Sequence, residues 1–444
     1  MAGGRFISMN KIRPGAYINF ETSSAAKINI GSRGIAAMVY PLNWGKQLDL
    51  NEVTGEDMLT GESLAKIGLV AESADALLFN LALQNCKVLK IFNTNTGGTK
   101  ASATLGTNGL SVTAKYEGTF GNTIAMVIKE VDSKYVVETY ANGYLVDSQK
   151  VATSAGLVAN DFVVFNGGTL TETSSTLLQG GANGSAAASN TYLPVLFEKL
   201  RLTKWNTLAY NSTTAADITA VINYIRTLRE DEGKYVQAVV ANAADADYEG
   251  IINNVNGVVT NDGVTVTAAD FTAWVAGATA GADINISNTG KVVEGVESIV
   301  GLLSNDDIIA GLNQGKFILS LAQNGNIKVE KDINSLHSFT TSKNYVFSKN
   351  RVIRELDEIG SAIEDIWETT YLGKVSNNDN GRMLFKSSII NYLSDLANRG
   401  VLQDFDSSNV EVIAGNDIDS VIANIAVKPV DSMEFLYMTI NVEQ

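Results

Sequence analysis

The segment MEFLYMTINV, Met433 to Val442, alternates with a period of two. Leu436, Met438, Ile440 and Val442 form one aliphatic face, and Phe435, Tyr437, Thr439 and Asn441 form the other. This period predicts a strand. An apolar strand at the end of a chain needs a sheet edge, because unpaired it is an aggregation hazard. The opening of the chain poses the same problem. Arg13-Pro14-Gly15 precedes Ala16, Tyr17, Ile18, Asn19 and Phe20, with Ile18 and Phe20 on one face. Two readings follow. Either both strands pair inside their own domain, or they link the chain to other subunits by strand exchange.

Between these ends, 444 residues provide for two to four domains. A hydrophobic content of 45% with 18% charged residues marks a globular chain. The formal net charge of -15 argues against a nucleic-acid partner and suits a basic protein partner. It also makes copies repel, so self-assembly has to rest on strand pairing, apolar contact or local charge complementarity. Cys86 is the single cysteine, which excludes an intrachain disulfide and fits a reducing compartment. No apolar run approaches the ~18 residues of a membrane span. MAGGRFISMNKIRPGAY lacks a signal-peptide core, so cytoplasmic synthesis is expected.

An α/β pattern opens the chain. Strands are expected within 28–40 and at Val88–Phe92, with a helix from Ala71 to Gln84. From Asn93 to about Gly184 the sequence turns rich in Thr, Ser, Gly and Asn. Strands are expected at 109–116, 123–131, 134–141, 144–151 and 161–165, with Asn142-Gly143 as a hairpin turn. We therefore expect an all-β domain inserted into a loop of an α/β core. The core resumes with a strand at Thr207–Tyr210. A helix follows, capped by Thr214 and Asp217 and carrying Ile218, Val221, Ile222, Ile225 and Leu228. Next come a strand at Tyr235–Val240 and a small-residue helix at Phe271–Ala280. Residues 281–345 read as loops and strands. Helices are expected at 349–372 and 382–399, and strands at 409–413 and 421–427. The first of these helices turns Ile353, Leu356, Ile359, Ile363 and Ile366 inward. Arg354, Glu355, Asp357, Glu358, Glu364, Asp365 and Glu368 are expected on its outer face, as plain solvated surface or as a docking site for a basic partner.

Catalytic chemistry is sparse. His337 is the only histidine, and one His with one Cys cannot build a typical zinc site. No G-x-S-x-G elbow is present. GLNQGK, Gly311 to Lys316, is one residue short of a phosphate-binding loop, and Phe317 stands where a hydroxyl would hold magnesium. Asp306-Asp307 and Asp417/Asp419 lack the calcium-loop pattern. No catalytic, cofactor or metal residue is expected.

Several segments together resemble one family, the contractile tail sheath proteins of tailed phages and R-type bacteriocins, chiefly those of Gram-positive hosts. The N-terminal run Lys11-Ile12-Arg13-Pro14-Gly15-Ala16-Tyr17-Ile18-Asn19-Phe20 is similar to the family's arm. Tyr116-Glu117-Gly118-Thr119-Phe120-Gly121-Asn122 is similar to the turn of its inserted β-domain. Asn350-Arg351-Val352-Ile353-Arg354, Tyr371-Leu372-Gly373-Lys374-Val375 and Asn377-Asn378-Asp379-Asn380-Gly381-Arg382 resemble its C-terminal domain, and Val427 to Glu434 its closing segment.

The resemblance implies a linking arm at 1–22 and a core α/β domain at 23–93 and 185–345. It implies an outer β-domain at 94–184, a tube-proximal α/β domain at 346–432, and a linking strand at 433–444. It also implies hexameric rings stacked around an inner tube, with baseplate and tail-terminator partners. No nucleic acid, membrane insertion or cofactor is implied. The sheath would contract to drive the tube through a cell envelope, in a particle released by lysis. Competing readings are a capsid or surface-layer subunit, the two-component sheath of secretion systems, and an α/β hydrolase.

Overall fold

The computed structural model describes residues 2–4, 15–17, 33–70, 74–244 and 246–442. Two units divide the chain: Ser32–Glu358 with Pro429–Gln444, and Met1–Gly31 with Ile359–Lys428.

The larger unit is built on a seven-stranded sheet. Its strands are β1 (Ile35–Tyr40), β2 (Leu50–Thr54), β3 (Val88–Asn93), β4 (Thr207–Ala209), β5 (Gln237–Ala241), β6 (Ile251–Asn254) and β7 (Lys316–Phe317). Their order is β7-β6-β5-β4-β1-β3-β2, parallel throughout except for the antiparallel edge strand β2. Helices cover both faces, as a parallel sheet requires. Successive residues of β1 serve opposite faces. Ala36 and Met38 join a core with helix α1 (Ala74–Leu83) and helix α4 (Thr272–Gly281). Ala37 and Val39 join the other core, with α2 (Ser189–Arg201) and α3 (Ala215–Glu230).

The small-residue helix α4 does what its composition suggests. A Cβ on Gly277 would stand 2.1 Å from the carbonyl oxygen of Ala82, and one on Gly281 would stand 1.6 Å from that of Asn85. The backbones of α1 and α4 approach too closely for any side chain there.

The all-β insertion is a sandwich. Ile124–Val131, Lys134–Ala141, Tyr144–Val151 and Thr173–Leu177 form one sheet, and Ser102–Leu105, Leu110–Ala114 and Val163–Phe165 the other. Asn142 and Gly143 both have positive φ, 46° and 85°, as a tight two-residue hairpin turn demands. Asn95–Thr96 pairs with Ser185–Ala186 at the stem of the insertion. Trp44 of the core enters the sandwich interior, 5.3 Å from Tyr116 and 5.5 Å from Phe120 between ring centroids. Gly118 makes room for this seam: its φ is 132°, and a Cβ there would lie 1.9 Å from the carbonyl oxygen of Asn43. Asn122 closes the turn by exchanging hydrogen bonds with Gly181, at 2.9 and 2.8 Å.

In the smaller unit, helix α6 (Asp379–Asn398) buries Phe385, Ile389, Tyr392, Leu393 and Leu396, and a positive-φ Gly400 follows it. Asn378 caps α6 through the amide of Gly381, at 2.8 Å. Asn377 donates to the carbonyls of Ile418 and Ser420, which ties a two-stranded hairpin, Val410–Ala414 with Val421–Ile425, to that cap. Helix α5 (Asn350–Ile366) crosses the unit boundary, and a π-type turn, Trp367–Tyr371, follows it.

Local expectations needed correction at several points. Thr214 is the N-cap of α3, yet its side chain makes no cap bond; Ser212 Oγ accepts from the Thr214 amide and donates to Asp217 instead. Helix α2 was not anticipated, and neither was the helix Asn305–Asn313. Met433–Val442, read as a strand, has no ladder partner among the described residues.

Gly277→Ala and Gly281→Ala should each destabilise the protein by about 1–3 kcal/mol through overpacking. Gly55→Ala, with nothing within 4 Å of the new Cβ, should be near neutral. Thermal unfolding of the three variants checks this.

Candidate assembly site

The root of the C-terminal segment is fastened by charge. Lys349, just ahead of α5, has a side chain only 5% exposed. Its ammonium lies 3.2 Å from Asp431 and in direct contact with Glu434. Burial disfavours the Lys349 charge, but the hydrogen bond and charge of Glu434, joined by Asp431, outweigh it and raise the pKa. The second oxygen of Glu434 accepts from Thr289 Oγ1 at 2.8 Å. Thr289 Oγ1 in turn accepts from the backbone amide of Asp332 at 2.9 Å. Asp332, fully buried, accepts from Asn350 Nδ2 at 2.9 Å and from Arg354 Nη2 at 3.0 Å. Asn350 accepts from Gln237 of β5, at 3.2 Å. A continuous polar chain thus runs from the central sheet to the arm.

Beyond Phe435, whose ring centroid lies 5.8 Å from the Lys331 ammonium, the fastening stops. Leu436, Met438, Ile440 and Val442 are between 69% and 88% exposed, and Tyr437 is 92% exposed. The N-terminal segment is described only at Ala2–Gly4 and Gly15–Tyr17, which pair in parallel; this places Ala16 and Tyr17 in a strand. Ile18, Asn19 and Phe20 lie outside the described residues.

The outer charged face expected on α5 is corrected in its first half. Arg354 and Glu355 are 0% exposed, and Asp357 and Glu358 are also buried. Residues outside the helix pair with two of them: Asp332 with Arg354, and Arg229, which grips Asp357 with two bonds, 2.8 and 2.7 Å, across 128 positions of sequence. A helical period registers which residues are charged; it does not register partners brought by another helix. Arg33 faces the same cluster, where burial and the nearby Arg354 lower its pKa to about 10. Glu364, Asp365 and Glu368 are exposed as expected.

The other residues weighed for chemistry lie in the core or in local hydrogen-bond networks. Cys86 is buried, which pushes its thiol up to about 11. The amide of His337 donates to Asp247 at 2.8 Å, and its Nδ1 sits 2.9 Å from the Ser335 carbonyl. Gly311 belongs to the helix Asn305–Asn313, and Gly315, with φ of 67°, turns the chain into β7. Asp307 helps Ser304 cap that same helix. Among the described residues no three His, Cys, Asp or Glu side chains are grouped to hold a metal.

Glu355 accepts from Arg351 Nε at 3.0 Å while its other oxygen is buried without a partner. Burial raises its pKa from 4.5 to about 7, against the pull of Arg351 and Arg354. The folded state therefore holds this proton more tightly than the unfolded chain, and stability falls as pH rises from about 4.5 through 7. Glu355→Gln removes that dependence. Its stability relative to the parent should improve on going from pH 4.5 to pH 8, by on the order of 3 kcal/mol. Denaturant unfolding at the two pH values measures it, and a constant difference would exclude a buried carboxyl with a raised pKa.

Comparison with known proteins gives these features a context. Residues 186–335 match the phage tail sheath protein central domain, 96–183 its beta-sandwich domain, and 342–443 the phage tail sheath C-terminal domain. The phage-like element PBSX protein XkdK of Bacillus subtilis is 32% identical over 474 residues, covering all of both chains. The crystal structure of a sheath tail protein from Desulfitobacterium hafniense is 38% identical with a TM-score of 0.77, covering 94% of this chain and 97% of that one. A sheath tail protein from Listeria innocua is 31% identical with a TM-score of 0.80, covering 92% and 95%. The chain belongs to the family of phage tail sheath proteins, the structural subunits of contractile tails.

Proposed function

We propose that this subunit polymerises into stacked hexameric rings around an inner tube, and that the sheath contracts to drive the tube through a cell envelope. In this reading the subunit is made in the bacterial cytoplasm and released by lysis in a phage or bacteriocin particle. It acts by packing and carries no enzymatic chemistry. The observation that supports the reading best is the C-terminal segment: its root is held by buried ion pairs, and its apolar, alternating continuation is exposed with no ladder partner among the described residues. Such a segment is suited to complete a sheet in another copy. The hairpin Val410–Ala414/Val421–Ile425 offers an acceptor, since among the described residues its two strands pair only with each other.

Strand pairing between copies keeps subunits linked while rigid cores slide and re-dock, which is a switch between two packings. Baseplate and terminator proteins bound the polymer at its ends. The exposed carboxylates Glu364, Asp365 and Glu368 contribute charge contacts to the tube or to a neighbouring subunit.

Removing residues 435–444 should leave a folded subunit, with a melting temperature close to that of the parent, that forms no cylinders when co-expressed with the tube protein. Negative-stain microscopy reads the outcome; cylinders of normal length would refute the role of the arm. Reversing Glu364, Asp365 and Glu368 to Lys together should reduce the yield of tube-filled sheaths without lowering the melting temperature. Unchanged assembly and contraction would remove these residues from the contact.

A further inference from the structure

The fastening at Glu434 does more than tether. From Val430 to Phe435 coverage alternates residue by residue: Val430, Ser432 and Glu434 are partly covered, while Asp431, Met433 and Phe435 are exposed. Coverage therefore already alternates with a period of two at the root, where the Lys349 ammonium also holds Asp431 at 3.2 Å. Both sides of the segment are engaged there. On one side Glu434 enters the socket made by Lys349 and Thr289, with its side chain 6% exposed. At the next residue, the Lys331 ammonium stands 5.8 Å from the ring centroid of Phe435. Counting onward by two from Glu434 reaches Leu436, Met438, Ile440 and Val442, the entire aliphatic face.

We infer that Lys349, Thr289 and Lys331 form a register socket: by fixing Glu434 and Phe435 on opposite sides, they set which face the following strand presents to a second copy of the chain. The inference rests on the proposed role of the arm. Its physical basis is that a shift of one residue in a strand moves every side chain to the other face, whereas a shift of two restores the pattern. A salt bridge suits this task, because a slip of one residue would leave Lys349 with Asp431 alone, and neither Met433 nor Phe435 can take the place of Glu434. Lys349 is thus a positioning residue for the arm; in this reading the arm makes the contact itself.

The test is a pair of insertions in the exposed segment, outside the folded core. One Thr inserted between Phe435 and Leu436 should lower the yield of sedimentable cylinders by about tenfold or more, and two should leave it within about twofold of the parent. A flexible tether would treat the two alike, so equal yields overturn the socket. Truncation after Glu434 separates the layers of argument. If the truncated chain still polymerises, the arm reading itself fails; if it does not, equal behaviour of the insertions condemns the socket alone. In Lys349→Met the difference between one and two residues should disappear, and in Lys349→Arg it should persist. Should Lys349→Met fail to fold, shown by loss of a cooperative melt, the insertion pair in the parent chain still decides.

Discussion

A buried ammonium requires a carboxylate, and Lys349 takes two from the end of the chain. Most of the arrangement around α5 depends on that requirement. Charges removed from water are costly unless they are paired and hydrogen-bonded. Asp332 accepts from Asn350 and pairs with one nitrogen of Arg354, Arg229 pairs with Asp357, and Asp431 with Glu434 pairs with Lys349. An apolar interior of equal volume would hold the helix at least as firmly. An ionic one adds directionality, since each group accepts few partners in few geometries. In a subunit whose cores are proposed to re-dock as rigid bodies, a directional anchor is more useful than a merely sticky one.

The fold was legible where the period of the sequence and the local chemistry agree. The hairpin strands on either side of Asn142-Gly143 were bounded closely because the turn type is set by two residues. The helix expected at 382–399 is α6, legible because Phe385, Ile389, Tyr392, Leu393 and Leu396 recur at helical spacing. Helix α2 escaped because Pro194 lies inside it and its first residues continue a linker-like run of Ser and Ala. The edge strand β2, LNEVT, carries too few apolar residues to signal itself and is defined by its pairing with β3.

The assembly site was only half legible. The exposed face of the arm is written in its alternation, but the socket is not. Lys349, Thr289 and Glu434 are ordinary polar residues in sequence, separated by as many as 145 positions. The same blindness produced the error on α5. Arg354 and Asp357 have the composition of a solvated face, and only the counter-charges brought by Asp332 and Arg229 reveal that they lie inside.

The resemblance and the physics are complementary. Three of the segments that resemble the sheath family turn out to be joints. Tyr116 to Asn122 is the seam where Trp44 enters the sandwich, and its Gly118 has no space for a side chain. Asn377 and Asn378 bind the hairpin to the cap of α6. Asn350 and Arg354 close the polar chain that ends at the arm. Motifs of this kind carry no catalytic signature because their work is to hold angles between packed bodies. With a net charge of -15, copies of this chain repel at distance. Attraction between them then has to be short-ranged and geometrically exacting, and a strand delivered in fixed phase from a rigid socket has both properties.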